Sequence, residues 1–276
     1  MKKFLVPTDF SNTSRNALHY ALHLAKELKA ESIEIVHVFL PETAGEADFI
    51  PPIVQLMESR KEMLQTFVRE SLKEAEPAPC AITHEVLVGF PGDELSQVSE
   101  DYDMIVMGTT GQSGILEKIF GSVSSSVSQR AYCPVLLVPH EARFQPLRHI
   151  IYASNYESAD SEMVEKLTEF NRLFKAHVHF VHVKRKKDIP VGFAKAKEEI
   201  FRELFKEGEP GFAFDIAEVE NDDVAEGLSQ YADEKKAEMA VMVTRHRSIW
   251  ESFLHRSQTK RMALATHIPL MVLHLD

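Results

Sequence analysis

The chain has 276 residues, of which 44% are hydrophobic and 26% charged, proportions that suit globular domains with buried cores. Its formal net charge of -11 argues against nonspecific DNA or RNA binding, because phosphate backbones need a positive surface. Two cysteines (Cys80 and Cys133), no secretory leader and no long apolar run predict a cytoplasmic protein without a disulfide framework or a membrane span.

Strands and helices are predicted to alternate along the first half of the chain. Strands fall near residues 3–8, 32–39, 82–88, 103–108 and 135–138, and helices near 12–29, 52–74, 92–100 and 121–131. The strands are valine, isoleucine and leucine runs with little polar alternation, which is typical of strands buried on both faces. This alternation predicts βαβ units, and right-handed crossovers then favour a doubly wound parallel sheet.

The second half of the chain repeats the first. From Asp103 onward the two halves align without gaps, so that Cys133-Pro134 falls on Ile268-Pro269. We therefore predict two tandem Rossmann-like domains, each a five-stranded parallel sheet flanked by helices. Their expected bounds are 1–140 and 147–276, and the polar segment 139–147, which contains two prolines, joins them.

A glycine-rich segment follows the fourth strand. Gly108 and Gly111 flank a tight turn, and Gly121-Ser122 opens the next helix, with the spacing G-x2-G-x9-G-S. Helix N-termini bind anions, glycine allows close backbone approach, and the hydroxyls of Ser122 and Ser124 can add donors. The spacing is neither the P-loop nor the dinucleotide fingerprint. Because ligands bind at the carboxyl ends of such strands, the pattern predicts a phosphate-binding site here.

In these features the chain resembles the ATP-binding branch of the universal stress proteins. That branch carries G-x2-G-x9-G-[ST] after its fourth strand, matched here from Gly108 to Ser122. It also has Pro-Thr-Asp after the first strand, matched by Pro7-Thr8-Asp9, and His-Val at the end of the second, matched by His37-Val38. The resemblance covers the whole chain as two tandem domains.

The resemblance implies that the first domain binds ATP, AMP or ADP, with a divalent cation such as Mg²⁺ held mainly by phosphate oxygens and no assigned protein ligand. Asp9 and the backbone around Val38 would lie at the adenine, beside Pro7 and Thr8. Met107 and Gly108 would lie against the ribose. The residues around the phosphates would be Gly111, Gly121, Ser122, Val123 and Ser124.

The second domain lacks this chemistry at the aligned positions. The three glycines are replaced by Val243, His246 and Arg256, Asp9 is replaced by Asn155, and Ser122 alone has a like residue, Ser257. We therefore expect the second domain to be degenerate for this mode of binding and the chain to hold one nucleotide. The comparison also suggests that the fold alone does not require the glycines of the first domain.

Several residues of the first domain and its repeat have a second interpretation. Asp9 could cap the first helix, and Ser124, Ser125 and Ser126 could be ordinary polar positions of an early helical turn. Arg256 and Lys260 could bind another anion or lie on a solvated face, and the basic run Lys184 to Lys187 is interpreted as a solvated loop.

The predicted strand His177 to Lys184 contains three histidines. His177 and His179 share one strand face at a spacing that metal ligands use. No further cysteine, histidine or aspartate cluster lies close in sequence, so we interpret His177, His179 and His182 as structural.

The sequence contains no recognisable catalytic constellation, so we expect nucleotide binding without fast turnover and classify the protein as not an enzyme. We expect a nucleotide-dependent sensor or regulator of a stress response that acts through an unknown protein partner. The alternatives are a nucleotide hydrolase or nucleotidyl-transfer enzyme of the related α-hydrolase-like fold, and a scaffold that binds no nucleotide. The apolar last strands PVLLVP and PLMVLH predict an intrachain pseudo-dimer, and a homodimer of the full chain stays open.

Overall fold

The computed structural model describes residues 2–41, 53–74, 78–109, 121–153, 161–186, 193–206, 208–244 and 268–274. Its contacts divide the chain into two units, Met1–Phe144 and Gln145–Asp276. The division falls inside the segment 139–147 that the sequence marks as a linker. None of the helices in the described ranges is both long and apolar enough to cross a bilayer.

The first unit is the predicted alternation of strands and helices. Its elements are β1 (Lys3–Pro7), α1 (Asn12–Leu28), β2 (Ser32–Phe39), α2 (Ile53–Glu74), β3 (Ala81–Val88), α3 (Pro91–Val98), β4 (Met104–Gly108), α4 (Ser122–Arg130) and β5 (Val135–Val138). The strands are parallel in the order β3-β2-β1-β4-β5. The chain therefore moves outward from β1 to β3 and returns to the other side of β1 with β4, which confirms the doubly wound fold class.

The second unit has the same plan. Its elements are β6 (His149–Ala153), α5 (Ser161–Arg172), β7 (His177–Lys184), α6 (Phe193–Leu204), β8 (Phe214–Glu220), α7 (Val224–Lys235), β9 (Met239–Thr244) and β10 (Leu270–His274). The parallel order β8-β7-β6-β9-β10 matches that of the first unit strand for strand. The internal repeat predicted from the sequence is therefore a repeat of architecture.

In each unit an acidic side chain accepts hydrogen bonds from the backbone at the start of the first strand. Asp103, just before β4, accepts hydrogen bonds at Oδ2 from two backbone N–H groups leading into β1, at 2.7 and 2.9 Å. Glu238, just before β9, accepts at Oε2 from the two corresponding groups leading into β6, at 2.9 and 2.7 Å. The two residues are aligned in the repeat, so the similarity of the two units includes individual hydrogen bonds.

Helix α1 covers the centre of the first sheet because its apolar residues recur at helical spacing. Its buried face includes Ala17, Leu18, Ala21, Leu24 and Ala25, which pack over strand β1, buried from its second residue onward. The helix begins at Ser11, whose Oγ accepts the backbone N–H of Ser14 at 3.1 Å, and it ends at Lys29 in the left-handed conformation.

Gly108 at the end of β4 lies directly under the first turn of α1. A Cβ at this position would lie 2.7 Å from Thr13 Cγ2, closer than such atoms pack, and 3.1 Å from the Thr13 backbone carbon, which is an unusually tight contact. The close packing of α1 in the first domain therefore needs a glycine here, so the suggestion that the glycines serve only the ligand does not hold for Gly108. The repeat carries Val243 at the aligned position in β9.

Gly108→Ala is expected to lower the free energy of unfolding by about 1–3 kcal/mol, the usual effect of overpacking. Thr13→Ala in the same background removes the Cγ2 contact but not the backbone contact, so it should restore only part of the loss. Urea unfolding of the wild type, both single variants and the double variant measures this coupling. Unchanged stability of Gly108→Ala would contradict the proposed close contact.

Candidate functional site

A cavity of about 260 Å³ opens at the carboxyl ends of β1, β2 and β4. This is the place where the strand order reverses, which leaves a crevice between connections that run on opposite faces of the sheet. The cavity is lined by Pro7, Thr8, Asp9, Ser14, Val36, Val38, Pro91, Leu95, Met107, Gly108, Gly121, Ser122, Val123 and Ser124.

All of the predicted site residues except Gly111 line this cavity, and Gly111 lies outside the described residues. Sequence reasoning missed four lining residues. Val36 could have been found, because it lies two positions before Val38 and so shares its strand face. Ser14, Pro91 and Leu95 come from helices α1 and α3, and no motif indicates them.

The loop after β1 is held by its own short side chains. Thr8 is buried, and its Oγ1 lies 2.9 Å from Ser14 Oγ and accepts the Phe10 backbone N–H at 3.0 Å. Asp9 Oδ1 accepts the Ser11 backbone N–H at 3.1 Å, which orients the carboxylate. The helix cap is Ser11, so the alternative reading of Asp9 as the cap of the first helix does not hold.

Helix α4 begins at the cavity wall, as the glycine-serine motif predicts. Gly121 is its N-cap, with φ -58° and ψ 153°, and its own N–H donates to Thr109 O at 2.8 Å. The backbone N–H groups of the first turn have no partner four residues earlier within the helix, and that turn carries no acidic side chain. Since Ser122, Val123 and Ser124 line the cavity, its wall carries the positive end of a helix dipole.

Ser124 has a structural task that the sequence did not reveal. It is buried, and its hydroxyl donates to Gly108 O at 2.9 Å, which ties the start of α4 to the end of β4. The hydroxyl hydrogen expected to serve a phosphate is therefore engaged within the protein. Ser122 is exposed, and its predicted role as a hydroxyl donor to a phosphate stays a prediction.

The opposite wall of the cavity is apolar. Val36, Val38, Leu95 and Met107 are all buried and belong to three different elements. A cavity with an apolar wall, one carboxylate and a helix N-terminus suits a ligand that has a flat apolar body and an anionic end.

A sequence model of the universal stress protein family matches residues 1–139 and again residues 146–274. The chain belongs to the universal stress protein family. Both matches fall on one structural unit each, so this is a tandem member with two family domains.

Curated relatives match half of this tandem universal stress protein. One from Methanocaldococcus jannaschii is 36% identical over 143 residues, which is 50% of this chain and 81% of the relative. One from Bacillus subtilis is 36% identical over 153 residues, which is 49% of this chain and 97% of the relative. A universal stress protein structure from Archaeoglobus fulgidus matches with a TM-score of 0.72 at 19% identity, covering 99% of this chain and 96% of that chain, and so shares its fold.

The second domain of this universal stress protein differs where it is described. Val243 in β9 stands in place of Gly108 and is partly buried. Asn155, His246, Arg256, Ser257 and Lys260 lie outside the described residues, as does Lys187 of the basic run.

His37 does not line the cavity, but it contacts the loop that does. It is buried on β2 between the cavity residues Val36 and Val38, and its Nδ1–H donates to Thr8 O at 2.9 Å. Phe10 packs on its ring at 4.3 Å between centroids, although Phe10 holds a left-handed φ of 67° that costs an L-residue about 1–2 kcal/mol. His37 therefore fixes the loop that carries Asp9.

Burial lowers the pKa of His37, although its hydrogen bond to Thr8 opposes the shift. Its Nε2 is buried and has no hydrogen-bond partner among the described residues, so protonation would place an unpaired charge there. Below about pH 6.5 the unfolded chain binds this proton before the native chain does, so the free energy of unfolding falls as pH drops.

His37→Asn should retain a donor for Thr8 O but remove the titration. The wild type is therefore expected to lose more unfolding free energy than this variant between about pH 7.5 and pH 5.5. Urea unfolding at both pH values measures the difference, with His84→Asn on exposed β3 as the matched control. If the wild type and His37→Asn lost stability equally, His37 would not be the buried neutral group described here.

Proposed function

We propose that the first domain binds an adenine nucleotide and that the protein acts as a nucleotide-dependent sensor or regulator. The observation that carries this proposal is the convergence of three features on one cavity. These are the first-turn N–H groups of α4, which have no partner within the helix, the carboxylate of Asp9 and the apolar wall formed by Val36, Val38 and Met107.

The chemistry of the walls favours one orientation of the nucleotide. The phosphates belong at the first turn of α4, where Gly121 to Ser124 offer backbone donors and the positive dipole end. The base then lies toward Val38 and Asp9, whose carboxylate can accept a hydrogen bond from an exocyclic amino group. Gly108 and Met107 lie between these two regions and suit the ribose.

The described lining of the cavity contains no lysine or arginine. Backbone dipoles alone do not neutralise a triphosphate, so a divalent cation such as Mg²⁺ would accompany ATP and be held mainly by phosphate oxygens. The family resemblance supports the same arrangement, and we assign no protein ligand to this cation.

A regulator that catalyses no reaction needs only a ligand that binds one of its conformations better than another. The two domains share a fold but differ at the aligned cavity positions, so one nucleotide per chain would act on the first domain alone. A protein partner of unknown identity would distinguish the nucleotide-bound form from the free form.

Gly121→Val should weaken binding of ATP in the presence of Mg²⁺ by about 5- to 150-fold, the range that corresponds to overpacking. The φ of -58° is open to any residue, so the fold should survive the change. Isothermal titration measures affinity and stoichiometry, and Gln129→Val, at an exposed position near the end of α4, is the matched control. Two equivalent sites per chain, or wild-type affinity in Gly121→Val, would contradict the proposed site.

Hydrolysis of the bound nucleotide is expected to be slow or absent. Fast phosphoryl transfer needs charge neutralisation and an oriented nucleophile, and Asp9 lies toward the proposed base. The other candidates by residue type, Gln112, Glu117 and Lys118, lie outside the described residues.

Phosphate release with purified protein, ATP and Mg²⁺ should therefore stay far below about one turnover per second. Turnover near that rate which disappears in Asp9→Ala or Gln112→Ala would instead support the hydrolase alternative. Contaminating activity would persist in both variants and is excluded by this comparison.

A further inference from the structure

Four polar side chains meet on one face of the second domain's sheet, at the amino ends of its strands. The register places His149 of β6 opposite His177 of β7, and His179 of β7 opposite Asp215 of β8. His177 and His179 are two residues apart, so they share a face. Strand pairing thus supplies the aspartate that the sequence lacked nearby.

Three candidate ligand atoms converge on a point within this cluster. His177 Nε2 lies 2.9 Å and His179 Nδ1 lies 2.7 Å from the same oxygen, Asp215 Oδ2. All three atoms lie within 4.8 Å of one another. Tetrahedral zinc holds its ligand atoms at about 2.0–2.1 Å, and hence about 3.3 Å apart, so each of the two nitrogen–oxygen distances must lengthen by roughly half an ångström to admit an ion.

His179 is the buried member of the cluster, with 3% of its side chain exposed. Its Nδ1, although close to Asp215, has no partner that meets hydrogen-bond geometry. Its Nε2 lies 3.1 Å from His149 Nδ1, and an Nε2–H donated to His149 leaves a lone pair on Nδ1 that is directed into the cluster.

Asp215 is oriented from its other oxygen. The hydroxyl of Tyr231 on α7 donates to Asp215 Oδ1 at 3.2 Å, which leaves Oδ2 facing the two imidazoles. Hydrogen bonds of this kind, outside the ligands themselves, are the usual support of metal sites. The side chains of Asp215 and His177 are 42% and 32% exposed, so an ion can enter from solvent.

The first domain provides an internal comparison at the same strand positions. Ser32 and Glu34 of β2 align with His177 and His179, and Lys3 lies opposite Ser32. Glu34 there accepts a hydrogen bond from Tyr102 at 2.7 Å. The shared fold therefore does not require histidines at these positions, and their presence in the second domain calls for another reason.

We propose that His177, His179 and Asp215 bind a divalent transition-metal ion, with Zn²⁺ favoured by two imidazoles and one carboxylate. His149 and Tyr231 are positioning residues. Three protein ligands leave a fourth position open for water or an external group. The site lies at the amino ends of the strands in the second domain, so it is independent of the nucleotide site proposed in the first.

The test uses the full chain with its affinity tag removed and its metals stripped by a chelator. Calorimetric titration with Zn²⁺ should give one ion per chain with a dissociation constant of about 1 μM or tighter. Asp215→Asn, which still accepts from Tyr231, and His177→Ala, at a partly exposed position, should each weaken binding about tenfold or more. His84→Ala, an exposed histidine on β3, is the matched control and should bind as the wild type does.

Titration with Co²⁺ adds a spectroscopic measurement, because ligand-field bands report the imidazole and carboxylate donors directly. Circular dichroism checks that both variants fold, and the partly exposed His177→Ala keeps the test valid should Asp215→Asn not fold. Zinc binding weaker than about 100 μM in the wild type, or wild-type affinity in the folded variants, would overturn the proposal.

Discussion

The strand order of each domain reverses at its first strand, and the functional chemistry of the first domain depends on that reversal. Connections that leave β1 toward β2 and return to β4 run on opposite faces of the sheet, so none of the described helices fills the space above the carboxyl ends of β1 and β4. The loop after β1, the wall of β2 and the start of α4 all border this space. None of the three would form a pocket without the reversal.

Much of the fold and of the cavity could be predicted from the sequence, because both produce local signals. Buried parallel strands are runs of branched apolar residues, and the glycine-serine motif marks the start of α4. The parts that could not be predicted depend on contacts between distant segments. Leu95 enters the cavity from α3, and Ser124 donates to Gly108 rather than outward. Gly108 itself was interpreted through the ligand alone, since only the structure shows Thr13 above it.

The same limit explains the histidine cluster of the second domain. His177 and His179 are visible as a pair in the sequence, but Asp215 and Tyr231 lie on later elements and His149 on an earlier one. Parallel pairing brings them together through register, which no spacing rule along the chain reports. The two domains therefore carry different residues at both ends of their parallel strands, while contacts such as those of Asp103 and Glu238 are kept.

The contact between Gly108 and α1 has a mechanical consequence. Gly108 borders the cavity on one side and the backbone of Thr13 on the other, and it has no side chain between them. In most pockets a rotamer change absorbs the pressure of an arriving ligand. Gly108 has no side chain that could change rotamer. Any displacement of its backbone would therefore press on the first turn of α1, whose buried face covers the centre of the sheet. If a nucleotide binds as proposed, only the backbone of Gly108 separates it from the first turn of α1.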